Sequence, residues 1–483
     1  MSYTSSSALS STRTQAASRN MRVNGYSVPN VSFSGSLSSA FDGGNGEFLR
    51  VEVSNGQPTV YVEMTKDPHT ELENLYHSQY FSFRSIFKAS ENDSGAATDA
   101  AVRYVLANAG DASYPSAWEG STTFYSTNPS DPASWRRKLD TTYDSNTGEL
   151  SWTHDHTVDS PSSVYFAYFP PYSYERHLSL IAKCEMAPNA VLESLGQTLD
   201  GREIECVKVG TGQKVCWIVH RQHPGENMAE FYAEGLLNRL LGLNSEASYA
   251  VDGKVREALS MYTFYIVPNM NPDGAFRGHL RTNAGGQNLN REWCPSEMPD
   301  GTPYDAPTLE RSPEVFHVLQ KMDQTGVDVF LDVHGDEELP YNFIAGAEGC
   351  PNWSPRLQSL QGAFLAQYSR TNSDMQVAVG YEPEEPGEGR MNVCSNQIAV
   401  RYNCLAVTLE QPFKDCMSNP DPERGWNAAR SSMLGSSVLE PLVYVGPFLR
   451  TDNEFWVNTE DSAAAFGEDD MYVSPTSDYK SLL

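Results

Sequence analysis

The sequence predicts a mixed α/β protein in which a twisted sheet flanked by helices follows an all-β sandwich domain. Residues 28–168 contain short runs of alternating apolar and polar residues with Gly- and Ser-rich spacers, which is typical of half-buried strands in a sandwich. From about residue 170, short apolar runs alternate with longer segments of helical periodicity. That alternation indicates strands and helices following one another in an α/β domain.

Three segments of the β-rich region have sequence patterns that are typical of strands. The runs 48-FLRVEVS-54 and 58-PTVYVEM-64 alternate in polarity, and 143-YDSNTGELSWTHDH-156 places a turn of Asn, Gly and Asp between two strand-like runs. We therefore predict four segments: an N-terminal tail at 1–27, the β-sandwich at 28–168, the α/β domain at 169–447 and an acidic tail at 448–483.

The N-terminal segment is rich in Ser, and its first 24 residues carry three Arg and no acid. We interpret it as a disordered tail, with an organelle transit peptide as the weaker alternative. The chain's 62 Asp and Glu against 34 Lys and Arg give a net charge of -28, which argues against nucleic acid or an anionic membrane surface as partner. Eight cysteines without a CxxC spacing indicate reduced thiols, and cytoplasm is the expected compartment.

Four apolar runs end in polar residues with catalytic or turn chemistry. The runs 215–219, 263–267, 327–333 and 405–409 lead into HRQHPGE, PNMNPDG, His334-Gly335 and Glu410. In open α/β sheets, ligands bind beyond the carboxyl ends of the strands. The sequence therefore predicts one crevice where these four ends meet. A helix should begin after Glu226 and stop at Gly242, because apolar residues recur between them at helical spacing.

This crevice contains candidate metal ligands. His223 and Glu226 form an HxxE spacing, but a second one occurs at 334-HGDE-337, so either match alone is weak. Catalytic zinc prefers three N or O ligands with a fourth position open. His223 and Glu226 can supply two, and His334 at its strand end is the natural third. We interpret His220, within or at the edge of its strand, as structural or supporting.

Two arginines, Arg281 and Arg291, lie in 278-GHLRTNAGGQNLNREW-293. Taken alone they are ordinary surface charges. Beside a metal site we interpret them as binding residues, because a guanidinium binds carboxylates in bidentate fashion and stabilises developing oxyanions.

Taken together, these residues resemble the zinc metallocarboxypeptidases of the carboxypeptidase A type, in particular the cytosolic carboxypeptidase branch, which includes deglutamylases. The resemblance covers about residues 170–447, and the β-rich region before it resembles the N-terminal domain of the same branch. The motifs that carry it are HPGE at 223–226, NPDG at 271–274, GxxR with NLNRxW at 278–293, DVHGDE at 332–337 and TLEQPFKD at 408–415.

The resemblance implies one Zn²⁺ per chain, held by His223, Glu226 and His334. This His₂Glu set is the one established for carboxypeptidase A and is carried over from it. The resemblance further implies roles for five other residues. These are Glu410 as the general base, Arg281 on the scissile carbonyl, Asn290 and Arg291 on the terminal carboxylate of the peptide, and Tyr381 as a tyrosine that caps the substrate.

Two positions depart from the family pattern. Asn288 stands where the family commonly has Asp. The stretch 391-MNVCSNQIAV-400 contains no basic residue, although Arg390 and Arg401 border it, whereas members that remove glutamate are expected to place one there. The leading hypothesis is a zinc carboxypeptidase acting on peptides or protein tails, with glutamate removal as one specificity to test. The alternatives are a zinc amidohydrolase of small N-acyl amino acids and an inactive peptide-binding module.

Overall fold

A computed structural model describes residues 24–27, 33–70, 77–89, 99–244, 249–294 and 306–450. The predicted acidic tail lies outside these residues from position 451 onwards, as does the predicted N-terminal tail up to position 23. Residues Asn24–Ser27 form a strand paired with the next one, so the predicted tail limit at residue 27 is wrong for its last four residues. Backbone pairing with a distant segment, which local composition does not reveal, is the reason.

The N-terminal region is a β-sandwich, as predicted. Its strands, within the described residues, form a sheet in the order β1-β2-β5-β11-β7-β8 and another in the order β3-β4-β6-β10-β9. The strands are β1 Asn24–Ser27, β2 Phe33–Ser38, β3 Glu47–Ser54, β4 Gln57–Glu63, β5 Ser82–Ala89, β6 Ala100–Leu106, β7 Thr123–Ser126, β8 Arg136–Lys138, β9 Thr142–Asp144, β10 Glu149–His156 and β11 Ser163–Ala167.

Aromatic side chains fill the space between these two sheets. Phe166 on β11 lies 4.6 Å from Tyr104 on β6 and 5.4 Å from Trp152 on β10, measured between ring centroids. Phe83 on β5 packs against the same two rings. Because alternate residues of a strand share a face, the alternation seen in the sequence directs these rings inward.

The second region is a mixed sheet flanked by helices. Its strand order is β12-β13-β15-β14-β16-β18-β17 across the described residues, and β15, β14, β16 and β18 are mutually parallel. The strands are β12 Ala190–Gln197, β13 Glu203–Val209, β14 Lys214–His220, β15 Tyr262–Val267, β16 Val329–Val333, β17 Phe343–Ala345 and β18 Leu405–Glu410. The helices are α1 Tyr174–Met186, α2 Asn227–Leu241, α3 Gly253–Met261, α4 Pro272–Arg277, α5 Pro313–Thr325, α6 Pro355–Thr371, α7 Cys394–Tyr402, α8 Ala428–Ser437 and α9 Leu439–Val445.

Helix α2 begins and ends where the sequence predicts. It starts after Glu226 and stops at Gly242, whose φ of +68° is the left-handed conformation that glycine adopts without strain. Its close packing against α8 depends on two further glycines. A Cβ on Gly235 would lie 1.9 Å from the Ser432 carbonyl oxygen, and one on Gly435 would lie 2.1 Å from that of Tyr232. Across the described ranges, the helices lack the combination of length and apolar character needed to cross a membrane.

Glu314 on α5 is a buried carboxyl that the fold keeps neutral. Its Oε2 accepts a hydrogen bond from Asn283 at 3.2 Å, while Oε1 has no partner in the described structure. Burial raises the pKa of Glu314 to about 8. The unfolded chain ionises this group above about pH 4.5, so folding stability attributable to Glu314 is complete below that pH and falls as the pH rises towards 8.

We therefore expect Glu314→Gln to stabilise the protein at pH 8 and to have little effect at pH 4.5. The gain is at most about 5 kcal/mol, from 1.36 kcal/mol per pKa unit. Denaturant unfolding of the parent protein and of the Glu314 variant at several pH values measures the difference in unfolding free energy. A constant difference in unfolding free energy across this pH range would contradict a neutral, buried Glu314.

Candidate metal centre and active site

The four predicted strand ends meet at one edge of the sheet. Strands β15, β14, β16 and β18 are adjacent and parallel, so their carboxyl ends point the same way. Residues that follow β14, β16 and β18 therefore approach one another despite wide separation in sequence. This confirms the predicted crevice and explains how residues near positions 223, 334 and 410 come together.

His223, Glu226 and His334 form a buried cluster at this edge. One donor atom from each lies within 4.8 Å of the others. The Nδ1 atom of His223 is 2.6 Å from Oε1 of Glu226, and Nδ1 of His334 is 2.9 Å from Oε2 of Glu226 and 3.1 Å from Nδ1 of His223. Two imidazole nitrogens and a carboxylate facing one point are the donor set that zinc prefers.

The pKa values of the three side chains shift in different directions. Burial opposes ionisation of Glu226, but the two imidazoles outweigh it and hold the pKa of Glu226 well below its usual range. Oε2 of Glu226 also accepts a hydrogen bond from the Gly335 backbone N–H at 2.9 Å. Burial, together with the nearby Arg281 charge, lowers the pKa of His223 to about 4. His223 is therefore a neutral imidazole at pH 7, as a metal ligand must be. Burial also opposes the charged form of His334, but the carboxylates of Asp332 and Glu226 outweigh it and raise the pKa of His334 well above its ordinary value.

Each imidazole is oriented through the nitrogen that faces away from the cluster. Nε2 of His223 donates to Oδ1 of Asn288 at 3.0 Å, and Nε2 of His334 lies 3.0 Å from Oδ1 of Asp332. Such partners fix the tautomer and leave Nδ1 available for a metal. Asn288 therefore keeps the acceptor that the family's Asp would provide at this position, without its negative charge.

Glu410 is the last residue of β18 and lines a cavity that His223 and Glu226 also line. Its Oε2 is buried and has no hydrogen-bond partner among the described residues. Burial, reinforced by the negative charges of Glu226, Asp336 and Glu337, raises the pKa of Glu410 well above its ordinary value. The pKa values of Glu410 and Glu226 are thus shifted in opposite directions, because Glu226 is surrounded by hydrogen-bond donors and Glu410 is not.

The remaining predicted residues also line this cavity of about 450 Å³. Arg281 extends one guanidinium nitrogen to within 3.4 Å of the Tyr114 hydroxyl oxygen. Asn290 accepts a hydrogen bond from the Cys394 N–H at 2.9 Å and lies 3.4 Å from Nε2 of His334. Arg291 adjoins it, donating to the Asn290 carbonyl oxygen at 2.7 Å.

Tyr381 lies at the cavity mouth. It donates a hydrogen bond from its hydroxyl to Asp336 at 2.5 Å, and its ring packs edge-on against Phe343. The residue as a whole is 44% exposed, so it is placed where a substrate in the cavity would contact it.

The sequence reasoning missed several residues of the cavity. Tyr114 and the acids Glu348 and Glu384 line it, and nothing in their local sequence marks them. The position of Asp332 in the sequence could have identified it. A residue two positions before His334 is close enough to support the imidazole. His220 is outside the ligand cluster, and its Nδ1 lies 2.9 Å from the Val267 carbonyl oxygen, in agreement with a structural role.

Comparisons with known proteins agree with this geometry. A sequence model of the zinc carboxypeptidases matches residues 178–415, and one of the cytosolic carboxypeptidase N-terminal domain matches 37–169. A protein of Zymomonas mobilis is 38% identical over 403 residues, covering 83% of this chain and 94% of its own length.

Two solved structures are also similar along most of the chain. One is a metallo-carboxypeptidase from Burkholderia cenocepacia, 35% identical with a TM-score of 0.73, covering 86% of this chain and 99% of the other. The second is a metallo-carboxypeptidase from Pseudomonas aeruginosa in complex with (2-guanidinoethylmercapto)succinic acid. It is 35% identical with a TM-score of 0.71 and covers 85% and 98% of the two chains.

The hydrogen bond from His223 to Asn288 generates a test of the metal centre. We expect Asn288→Ala to weaken Zn²⁺ binding about 10–100-fold, the usual loss when the partner of a metal-binding histidine is removed. Competition with a chelator measures the affinity. Asn146→Ala, in an exposed turn of the β-sandwich, is the control and should leave it unchanged. Equal affinities in the Asn288 variant and the parent protein would show that Asn288 does not support the ligand.

Proposed function

The chain belongs to the zinc carboxypeptidase family, with the N-terminal domain of the cytosolic carboxypeptidases, and we propose that it removes the last residue of peptides or protein tails that end in a free carboxylate. The observation that carries this proposal is the buried cluster of His223, Glu226 and His334, of which His223 and Glu226 line the same cavity as Glu410. That cavity also contains the two arginines that a substrate carboxylate and an oxyanion require.

We propose that His223, Glu226 and His334 hold one Zn²⁺ per chain. When bound, zinc lowers the pKa of water and polarises a carbonyl oxygen. The protein's part is to keep three donors buried and close together. Asn288 and Asp332 orient the imidazoles for this purpose, and the Gly335 N–H orients the carboxylate.

Glu410 is proposed as the general base. Its buried Oε2, which has no hydrogen-bond partner among the described residues, is free to take a proton from the attacking water, and burial raises the pKa of Glu410. The same carboxyl can then release the proton to the leaving amine. Such proton transfers by a positioned carboxyl group are general acid–base catalysis.

The arginines have separate proposed tasks. Arg281 would stabilise negative charge on the oxygen of the scissile carbonyl, because a fixed cation inside a cavity costs no reorganisation during the reaction. Asn290 and Arg291 would bind the α-carboxylate of the last residue, which restricts hydrolysis to the end of the chain. Tyr381 would cover the bound substrate from the cavity mouth.

The direct test compares peptides that differ only at their C-terminus. We expect hydrolysis of a peptide with a free carboxylate and at least about 100-fold lower kcat/KM for its C-terminal amide, because the amide cannot form the bidentate ion pair with Arg291. Release of the last amino acid, followed by amine detection, measures both rates.

Glu410→Gln should abolish turnover while the zinc content, measured by atomic absorption, stays unchanged.

Other outcomes would identify the alternatives. Equal rates on acid and amide would remove Arg291 from carboxylate binding. Turnover confined to small N-acyl amino acids would indicate an amidohydrolase. Peptide binding by the zinc-loaded protein without any turnover would indicate an inactive binding module.

The pocket for the last side chain favours a cationic or neutral group over glutamate. Thr408 lies two residues before Glu410 on β18, so both face the cavity, and its hydroxyl is 3.0 Å from that of Ser395. Glu348 lines the same cavity. The side chain of Arg390, which also lines the cavity, is 63% exposed and its Nε is 3.1 Å from the Glu384 carboxylate. The ligand bound by the Pseudomonas aeruginosa relative carries a guanidinium arm on a dicarboxylate, which is consistent with this preference.

We expect the protein to release a C-terminal Lys or Arg faster than a C-terminal Glu from otherwise identical peptides. Glu348→Gln should lower kcat/KM for the Lys peptide about tenfold, a loss of about 1.4 kcal/mol, and leave a C-terminal Ala peptide unaffected. Glu382→Gln, which removes an exposed acid at the cavity rim, is the matched control. Faster release of Glu than of Lys by the parent protein would refute this preference.

The proposed compartment is the cytoplasm. All eight cysteines are buried thiols that form no disulfide, and persistent free thiols are typical of reducing compartments. Burial raises the pKa of several of them, for example that of Cys350 to about 12, so these thiols are chemically inert.

A further inference from the structure

The β-sandwich contacts the segment that carries Arg281 along its whole length. Asn45 donates a side-chain hydrogen bond to the Gly278 carbonyl oxygen at 2.8 Å. At the other end, Gly286 has a φ of +86°, and a Cβ there would lie 2.1 Å from the His69 carbonyl oxygen. Between these two contacts lies Asp67, in the loop that follows β4.

Asp67 is almost fully buried and holds three consecutive backbone N–H groups. Its Oδ1 accepts from Leu280 at 2.7 Å, and its Oδ2 accepts from Arg281 at 2.8 Å and from Thr282 at 2.9 Å. The Thr282 hydroxyl donates to the same oxygen at 3.0 Å. Charge-assisted hydrogen bonds of this kind are about twice as strong as neutral ones.

These contacts matter because residues 279–283 belong to no helix or strand. Regular secondary structure therefore does not set the backbone direction at Arg281. The segment also contacts the metal cluster, because the Leu280 carbonyl oxygen accepts a hydrogen bond from the N–H of Gly225 at 2.9 Å. Gly225 lies between the ligands His223 and Glu226.

We propose that Asp67 is a positioning residue for Arg281, so that the β-sandwich builds part of the active site of the proposed carboxypeptidase. Asp67 fixes the backbone from which the guanidinium projects, and Tyr114 of the same domain meets that guanidinium in the cavity. This inference rests on the proposed function, because it assigns the transition-state task to Arg281.

The test uses Asp67→Asn in the full-length zinc-loaded protein. Asn has nearly the same size, but its NH₂ group cannot accept a hydrogen bond from the backbone N–H groups. We expect kcat to fall about 10–100-fold with a small change in KM, because misplacement of a catalytic group by about 1 Å can cost 100-fold and acts on the transition state. Zinc content should stay unchanged.

A double-mutant cycle separates positioning from general destabilisation. If Asp67 acts through Arg281, Asp67→Asn should lower kcat little further in a protein that already carries Arg281→Ala. Additive losses in the double variant would overturn the proposal. So would full activity of Asp67→Asn accompanied only by a lower Tm.

Two further variants protect the test. If the Asp67 variant fails to fold, Thr282→Val provides a second test. It removes one hydrogen bond to Asp67 with little change of shape and should lower kcat by a smaller factor. Asn108→Ala removes two hydrogen bonds to the Met64 backbone within the β-sandwich and should lower Tm without changing kcat. Absence of peptide hydrolysis by the parent protein would refute the proposed function. An active parent with additive losses would refute the role of Asp67 alone.

Discussion

The site depends on bringing two imidazoles and a carboxylate together inside the protein. Removing such groups from water is costly unless each is paired. Here every member has a partner: the Asn288 amide for His223, the Gly335 N–H for Glu226, and Asp332 for His334. The three side chains of the cluster meet because β14 and β16 are adjacent and parallel, so that the segments after both strands leave the sheet at the same edge.

The same edge gives two carboxyls opposite properties. Glu226 is surrounded by hydrogen-bond donors, which lower its pKa, whereas Glu410 is buried beside other acids and its pKa is raised. Neighbouring titratable groups with separated pKa values are common at acid–base catalytic sites. The carboxyl that stays ionised suits a metal ligand, and the carboxyl that readily holds a proton suits an acid–base catalyst. Burial and neighbouring charge, rather than residue type, make this distinction.

Local sequence was sufficient for features that depend on periodicity and on strand ends. The run before Glu410, the helix that starts after Glu226 and the hairpin around residue 146 all show the expected pattern and form as predicted. Features that depend on distant pairing were not accessible in this way. Strand β1 is held by β2, and Asp67 meets residues more than 200 positions away. A single Asp in a polar loop carries no local mark of its partners.

The contacts of Asp67 also change how the two predicted domains should be understood. Tyr168, at the predicted boundary, stacks on Phe413 beyond β18 with ring centroids 4.5 Å apart, and a single cluster of buried side chains extends through both regions. Buried backbone N–H groups need acceptors, and those of residues 280–282 find theirs in the β-sandwich. Without that domain, three donors beside the metal cluster would lose their acceptor and Arg281 would lose its anchor. The boundary near residue 168 therefore separates two arrangements of strands, but the active site lies on both sides of it.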